Sequence, residues 1–368
     1  GGNLLWMARG AGGNFPGIVT EFRVQAYKAP RVTVKNCIFP SFKGKHLIQQ
    51  WMYQLEQIAQ PERQMFSHIT TFNSPKNWYF DNICFSCNNA QLAFFHSKID
   101  QITHVVGHGS CHMNEQSWLD KLLAEPGVNS QDPAALLARD YWPSDLGDSR
   151  NGAHMVPTWT VSNALIDSLV SNMHHSPPQP SVPYQVMLFL YVIGGQAVSQ
   201  ISPFGTAFGG REDKWIIHYK HFRANSHEVA THVEKLQQSL DRHLPCKTFY
   251  NYADQRMACA GTDRDRWLAA SFSDVARMKA IKLAADPAFV FRSHLLPPPA
   301  AGCAGAPECT EAVLRADADG YSCGSRIAWL RQGGNNKMPM KELAACNIVG
   351  SRFTSCAPCR PSHLPKAV

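Results

Sequence analysis

No apolar run in the chain reaches the ~18 residues that a membrane-spanning helix needs. The longest, Val186 to Gly194 (VMLFLYVIG), has the length of a buried strand. Charge is also sparse: 17% of the 368 residues are charged, and no run of Lys and Arg is interleaved with aromatics. The net charge of +7 is therefore scattered, and nucleic-acid binding has no basic stripe to rest on. No second C-x-x-C follows Cys84 and Cys87 at zinc-ribbon distance, so that pair reads as structural. His104, His108 and His112 have the spacing of one helix face, but Gly107 and Gly109 disfavour a helix there, which predicts loop histidines. His174 and His175, followed by prolines, read the same way. No metal site is expected.

Cysteine is abundant, and its placement is uneven. Six of the twelve (Cys303, Cys309, Cys323, Cys346, Cys356 and Cys359) fall in the last 66 residues. An even set in a short segment containing Gly and Pro reads as a disulfide-stapled module from an oxidising compartment, which points to secretion. About 60 residues bury too little apolar area to offset chain entropy without such staples. Fifteen pairings are open, although Cys356 and Cys359 lie so close together that each is expected to reach back along the chain. Zinc held by Cys356, Cys359 and His363 is the alternative.

Hydrophobic residues make up 44% of the chain, enough for a sizeable core and two or three domains. Ile18 to Tyr27 alternates as a half-buried strand, and Arg31 to Phe39, Met65 to Phe72, Trp78 to Cys87, Leu92 to Phe95, Gln185 to Ile193 and Lys214 to Phe222 read as further strands. Lys45 to Ala59 has helical spacing, as do Trp118 to Ala124, Trp159 to Asn172 and Arg264 to Ala284. Asn225 and Glu228 have capping-box spacing before a helix striped by Val229, Val233, Leu236 and Leu240. Gln131 to Gly152 looks loop-rich, and Pro297 to Pro307 reads as a linker. This irregular succession predicts an α+β fold: one large antiparallel sheet with helices on one face, plus a small disulfide-rich C-terminal module.

The opening GGNLLWMARGAGGNFPGIVT resembles the segment that closes the flavin-binding domain of berberine-bridge-enzyme-like FAD-linked oxidases. Three later stretches are similar to that family in the same order: Gly194 to Arg211 (GGQAVSQISPFGTAFGGR), Phe249 to Asp254 (FYNYAD) and Arg277 to Arg292 (RMKAIKLAADPAFVFR). The resemblance implies that the chain begins late, with most of the cofactor domain upstream of Gly1. It assigns 1–28 to the end of the FAD-binding domain, 29–240 to a substrate domain and 241–297 to a return segment. A linker at 298–312 and a Cys-rich module at 313–368 follow. That module resembles one found in secreted proteins of some algae.

The resemblance further implies FAD as cofactor, contacted by Gly12, Gly13, Asn14, Gly17, Ile18 and Asn251. Tyr252 is the implied catalytic residue, with Gln200 and Arg211 at neighbouring positions. An amide can hydrogen-bond a flavin carbonyl or ring nitrogen, and a phenol can orient or deprotonate a substrate hydroxyl. Several positions depart from the pattern. Pro16 removes a backbone donor, Gln200 stands where some members carry a Glu base, Gly210 replaces a His, and Phe249 replaces a Tyr. The expected activity is oxidation of an alcohol, sugar or similar small molecule with hydride transfer to flavin. Its alternative is a non-catalytic protein that keeps the sheet and makes a glycan contact through the Cys-rich tail. No nucleic acid or membrane span is expected as a partner.

Overall fold

A computed structural model describes residues 2–58, 65–72, 76–124, 131–137, 149–175, 186–193, 198, 200–222, 227–252, 264–286, 290–291, 303, 306, 308–331 and 340–361. The chain divides into two compact units, Gly1–Ile281 and Lys282–Val368. The Asn225 end of the proposed capping box lies outside the described residues.

The first unit is built on seven strands: β1 (Arg31–Phe39), β2 (Met65–Phe72), β3 (Trp78–Phe85), β4 (Ser110–Ser117), β5 (Ser149–Val156), β6 (Val186–Val192) and β7 (Trp215–Phe222). They form one sheet in the order β4-β1-β3-β2-β6-β7-β5, and every neighbouring pair is antiparallel. Alternation decides the faces. Phe39, Ile69, Phe80, Leu188, Leu190, Trp215 and Ile217 point into a common core with four helices. These are α2 (Gly44–Ile58), α3 (Asn89–Val106), α5 (Asn163–His174) and α6 (His227–His243); the unit also contains α1 (Gly2–Ala8) and the short α4 (Trp118–Leu123). The Trp51 ring of α2 meets Trp215 edge-on at 5.5 Å and donates its indole N–H to Ser67 Oγ at 2.9 Å. A buried polar handle is thus satisfied inside an otherwise apolar layer.

Five expectations are corrected. Leu92 to Phe95 belongs to helix α3, opened by a capping box in which Asn88 and Gln91 exchange side-chain and backbone bonds. Ser110–Ser117, including His112, is a strand although it lacks apolar alternation, and His104 lies in α3 rather than a loop. Ser149–Val156 is also a strand inside the stretch read as loop-rich. Ile18 to Tyr27 alternates but has no strand to pair with among the described residues, and its Phe22, Val24 and Tyr27 are exposed. The expected helix Arg264 to Ala284 is two, α7 (Arg264–Ser271) and α8 (Val275–Ala285).

Cys37 and Cys111 join β1 to β4, while Cys84 and Cys87 bond at the end of β3. The second unit holds α9 (Glu311–Arg315), α10 (Cys323–Arg331) and α11 (Glu342–Arg352) around Leu314, Ile327, Ala345 and Val349. Its six cysteines pair as Cys303–Cys346, Cys309–Cys359 and Cys323–Cys356. Cys356 and Cys359 each reach back, as expected. Both sulfurs are consumed, so the zinc alternative loses its thiolates. The sulfurs of Cys303, Cys309 and Cys359 do cluster, but as neighbouring disulfides.

Candidate active site

The face of the sheet away from the helices carries aromatic and titratable side chains at its alternate positions. One row crosses Tyr79 of β3, Thr70 of β2, Phe189 of β6 and His218 of β7. The adjacent row crosses Asn36 of β1, Asp81 of β3, His68 of β2 and Tyr191 of β6. Residues directly opposite on paired strands share a face, so these side chains are neighbours by register.

Over the β6–β7 end of this face lies the 3₁₀ turn Tyr250–Tyr252. The Tyr252 ring stacks on His218 with centroids 4.1 Å apart and planes 8° from parallel. Phe189 stacks on His218 at 5.2 Å, and Tyr191 meets the same imidazole edge-on at 6.3 Å. Phe249 and Phe208 close the patch above Ala153, Met155 and Ile216. Burial pushes the His218 pKa down to about 4, and Lys220 adds to this, so the ring is neutral at pH 7. Burial also pushes the Tyr191 phenol well above its ordinary range, with Tyr252 beside it contributing.

The turn is held there by specific bonds. The Lys247 carbonyl accepts from Met155 N–H at 3.0 Å, Thr248 Oγ donates to the Ala153 carbonyl at 2.7 Å, and Thr248 N–H reaches the Ala270 carbonyl at 2.8 Å. The Lys247 ammonium donates to both oxygens of the buried Asp213, at 3.0 and 2.8 Å. Burial pushes the Asp213 carboxyl up, and the lysine opposes that shift. Four interactions thus precede the turn and fix where its tyrosines point.

The Gly-rich opening meets the same turn. Gly12 has φ +55°, and a Cβ there would lie 2.1 Å from the Tyr250 ring; one on Gly13 would lie 3.0 Å from the Tyr250 hydroxyl. Asn14 is buried and donates its amide to the Ala11 carbonyl at 3.0 Å. Gly17 sits half-buried beside the Phe15 ring, Pro16 is buried, and Ile18 is exposed. Asn251 is exposed at the tip of the turn. Arg211 donates twice to Thr206 Oγ, at 3.1 and 2.6 Å, and lies over Phe208; burial and Arg9 lower its pKa. Gln200 is exposed on a turn. At Gly210, the Met155 methyl fills the space that a side chain would take.

The structure therefore brings together the Gly12 turn, Tyr250 and Tyr252. Sequence reasoning missed Tyr191, His218 and Phe189. Their signal was present: period 2 in VMLFLYV and WIIHYKHF puts them opposite the core residues Leu190 and Ile217.

No protein-family profile matches the chain, and no curated protein sequence matches it. Solved structures do. Wild-type BBE-like 1 of Physcomitrella patens shares 16% identity at a TM-score of 0.63, covering 81% of this chain and 60% of that one. Carbohydrate oxidase from Microdochium nivale, with a substrate analogue, shares 18% at 0.63, covering 81% and 62%. Berberine bridge enzyme from Eschscholzia californica shares 16% at 0.64, covering 81% and 61%. The chain spans about three-fifths of the length of these proteins.

Proposed function

With the fold of berberine-bridge-enzyme-like oxidases as its premise, we propose that the chain forms the substrate-facing part of an FAD-dependent oxidoreductase. Its substrate is an alcohol, sugar or similar small molecule. The observation that carries this reading is the Tyr252–His218–Phe189–Tyr191 patch on the open face of the sheet. His218 Nε2 is buried and has no hydrogen-bond partner among the described residues. A buried polar atom left in that state costs roughly 1–3 kcal/mol, so a ligand that bonds it gains by filling the patch. The donor set fits a flat, polar-edged ring and a hydroxylated substrate.

Gly12, Gly13, Asn14, Gly17, Ile18 and Asn251 are the residues assigned to hold FAD, which when bound supplies a hydride acceptor. Tyr252 orients the substrate hydroxyl and takes its proton. The neutral His218 ring beneath it fixes the phenol without placing a positive charge in the site. Phe189 stacks on the same His218 ring, so the support beneath the phenol is packed rather than open to water. Arg211, fixed on Thr206, keeps the loop 204–211 closed beside Phe208. Gln200 stands at the rim as a neutral amide, unable to accept a proton at neutral pH.

Secretion is supported by the five disulfides among the described residues. No described helix is long and apolar enough to cross a membrane. The exposed rings of Tyr321 and Trp329 support a glycan contact by the C-terminal module. The test is an absorbance spectrum of the native full-length product, followed by anaerobic addition of alcohols and sugars. Bound flavin that bleaches on addition is expected. A colourless, stoichiometrically flavin-free product would favour the non-catalytic alternative.

A further inference from the structure

The C-terminal module carries a built surface to which neither its core nor its disulfides give a use. Helix α10 has two faces. Cys323, Ile327 and Leu330 turn into the core, while Ser322, Ser325, Arg326 and Trp329 follow at i, i+3, i+4 and i+7 on the other side. Trp329 is 49% exposed, and Tyr321, just before the helix, is 66% exposed. A single exposed ring is ordinary. A ring that is exposed and also held from behind is not.

Tyr321 ends a turn in which Asp317 and Ser322 pair as an antiparallel bridge, and its carbonyl accepts from Ala318 N–H at 2.6 Å. Asp317 Oδ1 accepts from Gly320 N–H at 3.2 Å, and the Asp317 carbonyl accepts from Ser355 Oγ at 2.5 Å. The Arg326 guanidinium donates to the Ala318 and Asp319 carbonyls at 2.5 and 2.8 Å. The same guanidinium lies over the Tyr321 ring at 5.1 Å and the Phe353 ring at 4.3 Å. The Cys323–Cys356 bond ties the start of α10 to the segment that carries Ser355. Within the turn Asp319 has φ +61°, a conformation that costs a non-glycine residue and that concentrates at binding and switch sites. A ring fixed in this way has already lost its rotamer freedom, so a ligand that stacks on it does not have to order it.

The charges and polar groups choose the ligand. Arg326 lies 3.8 Å from the Asp319 carboxylate and Arg331 3.2 Å from Glu342. Arg352, over Phe353 at 5.9 Å, is then the one cation beside the strip without a carboxylate in ion-pair range among the described residues. Balanced charge gives a polyanion or an anionic membrane little to hold. The strip offers flat aromatic area flanked by the exposed Asp319 carboxylate and by the Ser322 and Ser325 hydroxyls, which meet at 2.8 Å. A neutral sugar ring has the matching pair of features, an apolar C–H face and a rim of hydroxyls. From Cys323 to Trp329 the helix rises about 9 Å, so the strip, with Tyr321 beyond the helix start, is longer than one sugar ring.

We propose that Tyr321, Arg326 and Trp329 form a binding strip for a neutral polysaccharide. Sugar rings stack on Tyr321 and Trp329, Arg326 holds the Tyr321 ring in place, and Asp319, Ser322 and Ser325 take the sugar hydroxyls. The inference rests on the module's glycan contact and is independent of the oxidase reading.

The experiment mixes the full-length protein with microcrystalline cellulose, with chitin and with curdlan, an insoluble glucan, and measures the protein left in the supernatant. Binding to at least one of the three is expected, and it should persist in about 1 M NaCl, because salt screens charge and not stacking. Tyr321→Ala and Trp329→Ala are each expected to weaken it about tenfold or more, and Tyr321→Phe to keep most of it. An unchanged thiol count in denatured, non-reduced protein shows that each variant has closed its disulfides. Should Tyr321→Ala disturb the turn, Trp329→Ala carries the test, because its indole lies outside the turn. Full binding by both alanine variants overturns the strip and leaves the glycan contact to another part of the protein. Binding that salt abolishes also overturns it, since the contact is then ionic. Depletion by none of the three polysaccharides overturns the strip and the glycan contact together, and returns the exposed rings to a protein partner; the flavin spectrum, which tests the oxidase reading, is unaffected by any of these outcomes.

Discussion

Gly12→Ala tests whether the Gly-rich turn and the Tyr250–Tyr252 turn are one assembly. Two costs are expected. At φ +55° a Cβ strains the backbone by roughly 1–2 kcal/mol. The same Cβ would lie 2.1 Å from Tyr250 Cε1 and 2.4 Å from Cδ1, so the ring must move. Overpacking of this kind costs about 1–3 kcal/mol. The ring cannot swing freely, because it also packs against Trp267 and Phe272 with centroids 6.1 and 5.3 Å away. Together these give a loss of roughly 2–5 kcal/mol in urea unfolding, if both terms act in full. A double-mutant cycle separates them. In a Tyr250→Ala background the added methyl has room, and Gly12→Ala should cost only the backbone share, about 1–2 kcal/mol. An equal cost in both backgrounds would refute the contact, and a change below ~0.5 kcal/mol in the wild-type background would refute the strain as well.

Further expectations concern chemistry, pH and staples. Tyr252→Phe should retain flavin in the full-length protein but lose most turnover; unchanged turnover would return the ring to a packing role. His232 is buried with its pKa pushed down from 6.5 to about 4, chiefly by burial and also by Lys235. The unfolded chain therefore binds the extra proton first, and stability present above pH 6.5 falls as pH drops towards 4, by on the order of 3 kcal/mol. Denaturant titrations should show this slope flattened in His232→Gln, and an identical slope would falsify the assignment. Replacing Cys37 and Cys111, 74 residues apart, by Ala should cost up to about 4.5 kcal/mol in the chain-entropy limit. Replacing Cys84 and Cys87, three apart, should cost about 2 kcal/mol, and a reversed order of midpoints would overturn that ranking.

Periodicity alone located β1, β2, β3, β6 and β7 because each alternates apolar residues against the helix layer, and it located α2 through its stripe from Leu47 to Ile58. The errors have separate physical causes. Leu92, Phe94 and Phe95 form too short an apolar run to distinguish strand from helix, and the Asn88–Gln91 capping box decides it. Ile18 to Tyr27 has a strand's pattern, but a strand also needs a neighbour to accept its backbone bonds. Tyr252 and Gly12 were legible through motif resemblance. His68, Asp81, Tyr191 and His218 were not, because they come from four strands and no local spacing links them. Only the register brings them to one face.

Strand β4 reads SCHMNEQS and is almost wholly exposed, so hydrophobic burial gives it little reason to prefer one alignment over the next. The bond from Cys111 to Cys37, its direct partner on β1, supplies what the side chains do not. During biosynthesis the edge of this sheet therefore acquires its definitive alignment by oxidation rather than by collapse. Produced in a reducing cytosol, the protein should still assemble the buried strands but leave this border free to slide, fray or recruit a neighbouring molecule's edge. A recombinant host with an oxidising export route is the appropriate source of material whose sheet is finished.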